Sequence, residues 1–358
     1  MNLLELELHY PLGDHLPAGG TRTEVSPGIF WVRMPLPFAL DHINLWLVRD
    51  QQMGLDGTMK QGWTLIDCGI ASEVIKAHWE TIFAGALDNL PILRVICTHM
   101  HPDHVGLADW ITQRFDCQLW MTLGEYALGR VLSSNLPASE RPSTLAHYQR
   151  NGIVDSESLD GLRARDDGYF RSLVPSMPKQ FRRLREDEAV HMAGHDWQII
   201  IGTGHSPEHA ALYCAELGLL FSGDMVLPRI STNVAVFELE QEANSVDWFL
   251  SSIAKYLDCR SDTLTFPSHG KPFRNLHRRV EQLQEHHRDR LLEVAQACAT
   301  SPCSASDIVP VMFKRKLDLH QMTFALGEAL AHLHALWFRG ELTRKLDADG
   351  VVRFRSIC

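Results

Sequence analysis

The chain has 358 residues, a formal charge of -10, 45% hydrophobic and 22% charged residues. This is the balance of a soluble globular protein, long enough for one main core and a smaller satellite. Its acidic surplus argues against DNA and wholesale nucleic-acid binding, which need a basic face, though a local groove for RNA stays open.

The N-terminus, Met1-Asn2-Leu3-Leu4, leads into no apolar stretch of signal length, and no run of about 18 apolar residues offers a membrane span. Its eight cysteines (Cys68, Cys97, Cys117, Cys214, Cys259, Cys298, Cys303 and Cys358) form no CxxC pair. Reduced thiols, a cytoplasmic location and no membrane partner are the expectation.

In chain order, residues 28–32, 43–48 and 63–66 read as strands separated by Pro, Gly and Asp turns. Between the first two lies an apolar loop with two prolines, Pro35 and Pro37, ending at His42. Asp67-Cys68-Gly69 follows a strand and precedes a helix predicted over 71–84; the strand 92–97 then runs into His99. Alternating strands and helices predict an α/β architecture.

The stretch 123–187 is polar and broken by Pro137, Pro142, Pro175 and Pro178, between strand-like 118–121 and 189–192. It reads as a helical insertion or a functional lid, because a loop that long without regular structure is unusual. Three strand-to-ligand joints follow: 197–201 into His205, 217–221 into Asp224, and 263–266 into His269.

Beyond Gly270 the pattern turns helical, over 274–299, over 304–313 with Ser304 as N-cap, and over 320–339. The last helix repeats Met322, Leu326, Ala329, Leu330, Leu333 and Trp337 on one face. Segments 341–346 and 351–355 flank the hairpin turn Asp347-Ala348-Asp349-Gly350. Three helices and a hairpin describe a small winged-helix domain at 273–358, after a main domain at 1–272. Its last helix carries Arg339 as its only Arg or Lys and Glu328 in mid-course, poor equipment for reading base edges. A pocket wall or a contact between copies suits it better.

The chemistry concentrates in Thr98-His99-Met100-His101-Pro102-Asp103-His104, Thr203-Gly204-His205-Ser206, Ser222-Gly223-Asp224-Met225 and Ser268-His269-Gly270. Five imidazoles and two carboxylates, each run following a strand, suit two adjacent divalent ions with nitrogen and oxygen ligands. His99 and His101 are two apart and point to one side of an extended segment, so they can grip one ion. Pro102 keeps His101 extended, and the turn beyond it lets Asp103 and His104 face a neighbouring ion. His205 would complete the first site and His269 the second, with Asp224 bridging. Two divalent ions less Asp103, Asp224 and a hydroxide leave about one positive charge, suited to an oxyanion. Metal-activated hydroxide makes this a hydrolase, with Asp103 and Asp224 as its catalytic carboxylates.

With these runs in this order, residues 28–271 resemble the metallo-β-lactamase superfamily. The resemblance implies an αββα sandwich with the metals at one edge of the two sheets. It implies one metal on His99, His101 and His205, a second on Asp103, His104 and His269, and Asp224 shared. Asp67, in the strand-end Asp-x-Gly, would support the metal loop from behind. The predicted winged-helix tail is similar to that of the β-lactamase-like protein 2 group, and Gly204-His205-Ser206-Pro207 resembles glyoxalase II. The long insertion departs from both patterns.

Several further residues invite a role. His209 could touch substrate, or start a helix and bond to backbone; Glu208 could orient it. His42, on the apolar loop, could touch substrate. Lys179, Arg182, Arg183 and Arg185 could dock a phosphate or carboxylate, or form a solvated face balanced by Glu186, Asp187 and Glu188. Tyr126, Tyr148 and Tyr169 read as packing residues, His286 and His287 as exposed ones, and Lys314-Arg315-Lys316 as solvated surface.

The leading expectation is a dinuclear hydrolase of a small-molecule ester or thioester of acyl-glutathione or acyl-CoA type, attacked by a bridging hydroxide. The ions would be Zn2+ in the first instance, with Fe or Mn as alternatives. A phosphodiesterase acting on RNA and a mono-iron oxidoreductase are the alternatives; homo-oligomerisation stays open. β-Lactam hydrolysis fits poorly, because no export signal is present and Asp224 takes the bridging place.

Overall fold

The computed structural model describes residues 3–54, 56–134, 143–164 and 168–357; Pro137, Pro142 and Cys358 lie outside these. The first sheet runs in chain order: β1 (Thr23–Ser26), β2 (Ile29–Pro35), β3 (His42–Met53), β4 (Met59–Ile66), β5 (Ile92–Ile96), β6 (Gln118–Met121) and β7 (Phe181–Arg183). Strands β1 to β4 form an antiparallel meander, and β4 to β7 are parallel. The parallel half carries its crossovers outside the sheet. They are α1 (Glu73–Gly85), then α2 (Pro102–Val105) and α3 (Ala108–Phe115), then the insertion. Ser72 caps α1 by accepting from the Ile75 N–H, which starts the helix two residues later than the apolar spacing predicts.

Strand β3 is buried on both faces from Ile43 to Val48, so it reads there as an apolar run broken only by Asn44, whose Oδ1 accepts from the Trp31 indole N–H. Ile43, Leu45 and Leu47 pack under the helices, while Trp46 and Val48 face the second sheet.

The insertion is helical, with α4 (Leu123–Ser133), α5 (Thr144–Arg150), α6 (Ser156–Ala164) and α7 (Tyr169–Leu173). It divides between two surfaces. Helices α4 and α7 join the outer layer of the first sheet through Leu128, Phe170 and Leu173. Helices α5 and α6 and the link between them pack on the core of the C-terminal helices through Tyr148, Leu159 and Ile153. Strand β7 at its end was not legible in Phe181-Arg182-Arg183, a charged edge strand whose only sheet neighbour among the described residues is β6.

The second sheet comprises β8 (Ala189–Met192), β9 (His195–Gly202), β10 (His209–Cys214), β11 (Leu219–Gly223) and β12 (Leu264–Pro267), ordered β12-β11-β10-β9-β8. Only β11 and β12 pair in parallel, through a crossover that contains α8 (Ser245–Ala254). Between the sheets, Trp31, Trp46, Ile66, Ile96 and Trp120 meet Trp197, Leu212, Phe221 and Phe266. The Trp46 ring lies 4.8 Å from Phe266 and 5.8 Å from Phe221. Helices cover both outer faces, so the architecture is the αββα sandwich.

The C-terminal region holds α9 (Leu276–Thr300), α10 (Ala305–Met312), α11 (Leu319–Phe338) and the hairpin β13 (Leu342–Leu346) and β14 (Val352–Ser356). Ser304 caps α10 in a box with Asp307. The one-faced reading of α11 needs correction. Every residue from Ala325 to Leu336 is buried, including Glu328, His332 and His334. Alanine and glycine on its other faces let neighbours close in all round. His287 is likewise buried rather than exposed, stacked on His332. The core continues without a break from Leu220, Val246 and Phe249 into Val280, Leu283, Leu326 and Leu330. Among the described residues no helix is long and apolar enough to cross a membrane.

Candidate metal centre

The ligand-bearing runs all leave the same edge of the sandwich. His99, His101, Asp103 and His104 follow β5, His205 follows β9, Asp224 follows β11, and His269 follows β12. The structure brings all seven together in overlapping groups: His99, His101 and His205; His99, His104 and Asp224; Asp103, His104 and His269.

In the first group, His99 Nε2 lies 2.9 Å from His101 Nδ1 and 3.2 Å from His205 Nε2. The far nitrogens explain what those atoms are. His205 Nδ1–H donates to the Asn233 carbonyl at 2.8 Å, and His99 Nδ1 meets Thr98 Oγ1 at 3.0 Å. With protons placed there, both Nε2 atoms present bare lone pairs to each other. Burial, then the neighbouring imidazoles, holds His99 well below the ordinary histidine range and lowers His101 to about 3. Burial also lowers His205. Neutral imidazoles with converging lone pairs suit a cation between them.

Around Asp103, His104 and His269, which form the second candidate cation group, His269 Nε2 lies 3.4 Å from Asp103 Oδ2 and 3.5 Å from Asp224 Oδ1, and His104 Nε2 lies 3.6 Å from Asp224 Oδ1. Burial opposes charge on His104 and His269, but Asp67, Asp103 and Asp224 outweigh it; His104 stands well above the ordinary range and His269 at about 10. Asp103, against its own burial, is drawn down to about 2 by His104 and His269. His104 Nε2 and Asp224 Oδ1 are buried with no hydrogen-bond partner. A divalent cation that takes the place of the His104 Nε2 proton satisfies unpaired buried atoms of this kind, so the donor set fits such an ion.

The supports come from behind. Asp67 Oδ2 accepts from His104 Nδ1–H at 2.8 Å, while Oδ1 accepts from the Thr98 N–H at 2.8 Å. His42 acts on His269 rather than reaching outward. Its carbonyl accepts from His269 Nδ1–H at 2.7 Å, its Nε2 accepts from the Gly270 N–H at 2.8 Å, and its Nδ1–H donates to Asp41 at 2.6 Å. Both ring nitrogens are thereby occupied by protein.

His209 is corrected too. It begins strand β10, not a helix, and is fully buried, with Nε2 accepting from the Asp224 N–H at 3.1 Å. Gly223 makes this contact possible: its φ is +54°, and a Cβ there would lie 2.2 Å from His209 Nε2. Glu208 does not orient His209; its carboxylate accepts from the Gly124 N–H at 2.8 Å. Tyr126 donates to the Pro178 carbonyl and stacks on Phe181.

Arg182 lies over the Trp120 ring at 3.9 Å, in register with Trp120 and Ile96. His99 comes three residues beyond Ile96, so Arg182 sits about 10 Å short of the ligand edge along the strands. Lys179 is exposed in the segment before β7, and Arg185 pairs with Asp187.

Sequence reasoning missed Thr98, Asn233 and Glu125. Thr98 adjoins the histidine run and was findable there. Asn233 serves through a carbonyl that every residue carries, so nothing in its identity signals the role. Glu125 is hidden in the polar insertion, yet it is fully buried. Burial pushes its carboxyl up to about 7, against the donors from Ser206, Glu208 and Met100.

Comparison with known proteins agrees with this geometry. The description "Metallo-beta-lactamase superfamily" matches residues 44–297, and "Metallo-beta-lactamase-like, C-terminal domain" matches residues 291–357. A beta-lactamase domain protein from Burkholderia ambifaria, known from its crystal structure, is 52% identical. It superposes with a TM-score of 0.92 over 99% of this chain and 100% of that one. The probable metallo-hydrolase YqjP of Bacillus subtilis (strain 168) is 22% identical over 85% of this chain and 91% of that protein. A beta-lactamase-like protein 2 homolog of Caenorhabditis elegans is 24% identical over 89% of this chain and 83% of that protein. The chain belongs to the metallo-beta-lactamase superfamily of metal-dependent hydrolases, whose fold binds divalent metals at such a histidine and aspartate cluster.

Proposed function

We propose that the chain hydrolyses a small ester or thioester, of acyl-glutathione or acyl-CoA type, with two divalent ions, zinc in the first instance. The observation that carries the dinuclear reading is the division of Asp224. Its Oδ2 faces His205 at 3.5 Å, while its Oδ1 faces His104 at 3.6 Å and His269 at 3.5 Å. His99, His101 and His205 would hold one ion, Asp103, His104 and His269 the other, and Asp224 would serve both. Bound there, two divalent ions supply an activated water at neutral pH and positive charge for the oxyanion of the transition state.

The chain's own residues set the conditions for this. Asp103 and Asp224 offset part of the added charge. Asp67 and the carbonyls of His42 and Asn233 hold a proton on the far ring nitrogen of His104, His269 and His205, so Nε2 is the atom each ring would turn to an ion. Burial of His99 and His104 keeps bulk water from competing. Nearby hydroxyls are committed elsewhere: Ser206 donates to Glu125 and Ser222 to the Val226 carbonyl. Burial raises the Cys97 thiol well above its ordinary range. The reading therefore needs no serine or cysteine nucleophile.

The ester or thioester class is supported by the resemblance of Gly204-His205-Ser206-Pro207 to glyoxalase II. The charge of -10 also weighs against RNA as the substrate, because a nucleic-acid backbone needs an extended basic face. Exposed Lys179 is a candidate for an anionic group on the substrate; Arg182, committed to Trp120, is a weaker one. The test is metal quantification followed by a panel of esters, thioesters, lactones and labelled RNA. Two ions per chain and thioester turnover that disappears in Asp224→Ala are expected. Cleavage of RNA alone, or a single iron per chain, would overturn the proposal.

A further inference from the structure

The first cation group draws its ligands from two separate loops. His99 and His101 lie after β5, His205 lies after β9, and the two strands belong to different sheets. One side chain joins these loops, and it comes from neither. Glu125, in the first turn of α4, is fully buried between them. Its Oε2 accepts from the Met100 N–H at 2.9 Å, the residue between the two histidines. Its Oε1 accepts from the Ser206 hydroxyl at 2.6 Å and the Glu208 N–H at 2.7 Å, just beyond His205. The grip is mutual. Glu208 returns its carboxylate to the Gly124 N–H at 2.8 Å, and Thr122 Oγ1 donates to the Glu208 carbonyl at 2.8 Å.

We propose that Glu125 is a positioning residue that sets the separation of His99, His101 and His205, and so the affinity of the first cation site alone. This rests on the dinuclear reading of the site. The second group is held by different means, Asp67 behind His104 and His42 behind His269. Three donors converge on Glu125, and a carboxylate offers two acceptor oxygens with no donor of its own. Glu125→Gln preserves volume but turns one oxygen into an NH2, which must face either Met100 N–H or the donors from Ser206 and Glu208. A buried donor is then set against a donor.

The experiment uses the full chain, with zinc and cobalt(II) as probes, and compares wild type, Glu125→Gln and Ser206→Ala. In competition titration the wild type takes two equivalents. Glu125→Gln should hold one as tightly and the other about 10–100-fold more weakly, with one cobalt absorption component lost. Ser206→Ala, which removes one donor and strands no buried acceptor, should shift the same equivalent by less. After chelator treatment, hydrogen exchange at the Met100 and Glu208 amides should rise in Glu125→Gln while that of α1 stays unchanged. The inference is overturned if both equivalents bind as in wild type with those amides still protected, or if both weaken alike. If the wild type takes up neither zinc nor cobalt, the dinuclear zinc reading fails, and unchanged amide exchange would separately sink the role of Glu125. Should Glu125→Gln not fold, an effect of Ser206→Ala on both equivalents, or on neither, overturns the inference.

Discussion

Asp67 holds a left-handed backbone, φ 60°, that a side-chain-bearing residue adopts at a cost of about 1 kcal/mol. That conformation puts one carboxylate on the Thr98 N–H, the Thr98 hydroxyl and His104 Nδ1–H. Asp67→Asn keeps the shape and removes the charge, so zinc affinity should fall about 10–100-fold, measured by chelator competition. Gly223 is constrained in the opposite sense, by what it lacks. Gly223→Ala drives a methyl into the His209 ring at a positive φ, and should cost about 2–4 kcal/mol in urea unfolding. At this scale the candidate ligands were legible in the sequence, because few side chains offer a lone pair to a divalent ion. Asn233 and the place of His42 behind His269 were not, because both act there through main-chain oxygens.

The pairing of α9 with α11 puts two buried imidazoles in contact. His332 Nδ1–H donates to the Glu328 carbonyl at 2.8 Å, and His287 Nδ1 meets His332 Nε2 at 3.1 Å. Burial, together with the neighbouring charges of His286, Arg290 and Arg339, lowers His332 to about 4 from 6.5, and burial beside His332 holds His287 well below its ordinary range. The unfolded chain takes up a proton below pH 6.5, whereas the folded one resists until about pH 4. His332 thus contributes stability that is whole above 6.5 and is lost as the pH falls toward 4. Denaturant titrations at pH 7.5 and 5 should show His332→Gln losing about 2 kcal/mol less than wild type across that interval. Equal losses would show that His332 does not titrate this way. The apolar spacing of α11 was legible, but its all-round burial was not. A helix with alanine and glycine on its outer faces looks one-sided until neighbours are seen to cover the other sides.

Across the whole molecule, the C-terminal helices complete a core rather than append one. Arg279 of α9 is buried and donates to the Leu227 and Ile230 carbonyls, holding the loop that follows Asp224. The Gly327 carbonyl of α11 accepts from the Val236 N–H in the same loop at 3.0 Å. A chain ending at residue 272 would expose Leu220, Val246, Phe249 and Tyr256. Each such side chain is worth about 1.5–3 kcal/mol, and together they rival a domain's whole stability. The truncated chain should show no cooperative transition in calorimetry; a sharp one would mean that residues 1–272 fold alone.

The sequence by itself determined the alternation of strands and helices and the candidate ligands at the strand ends. Both are local properties, carried by periodicity and by the chemistry of single side chains. Only the tertiary structure decided that β7 extends the sheet, that α11 is enclosed, and that Glu125 and the His42 and Asn233 carbonyls brace the site. Each of these depends on segments distant in the chain packing together. A carboxylate in a polar stretch or a main-chain oxygen bears no mark of the partner that folding will bring to it.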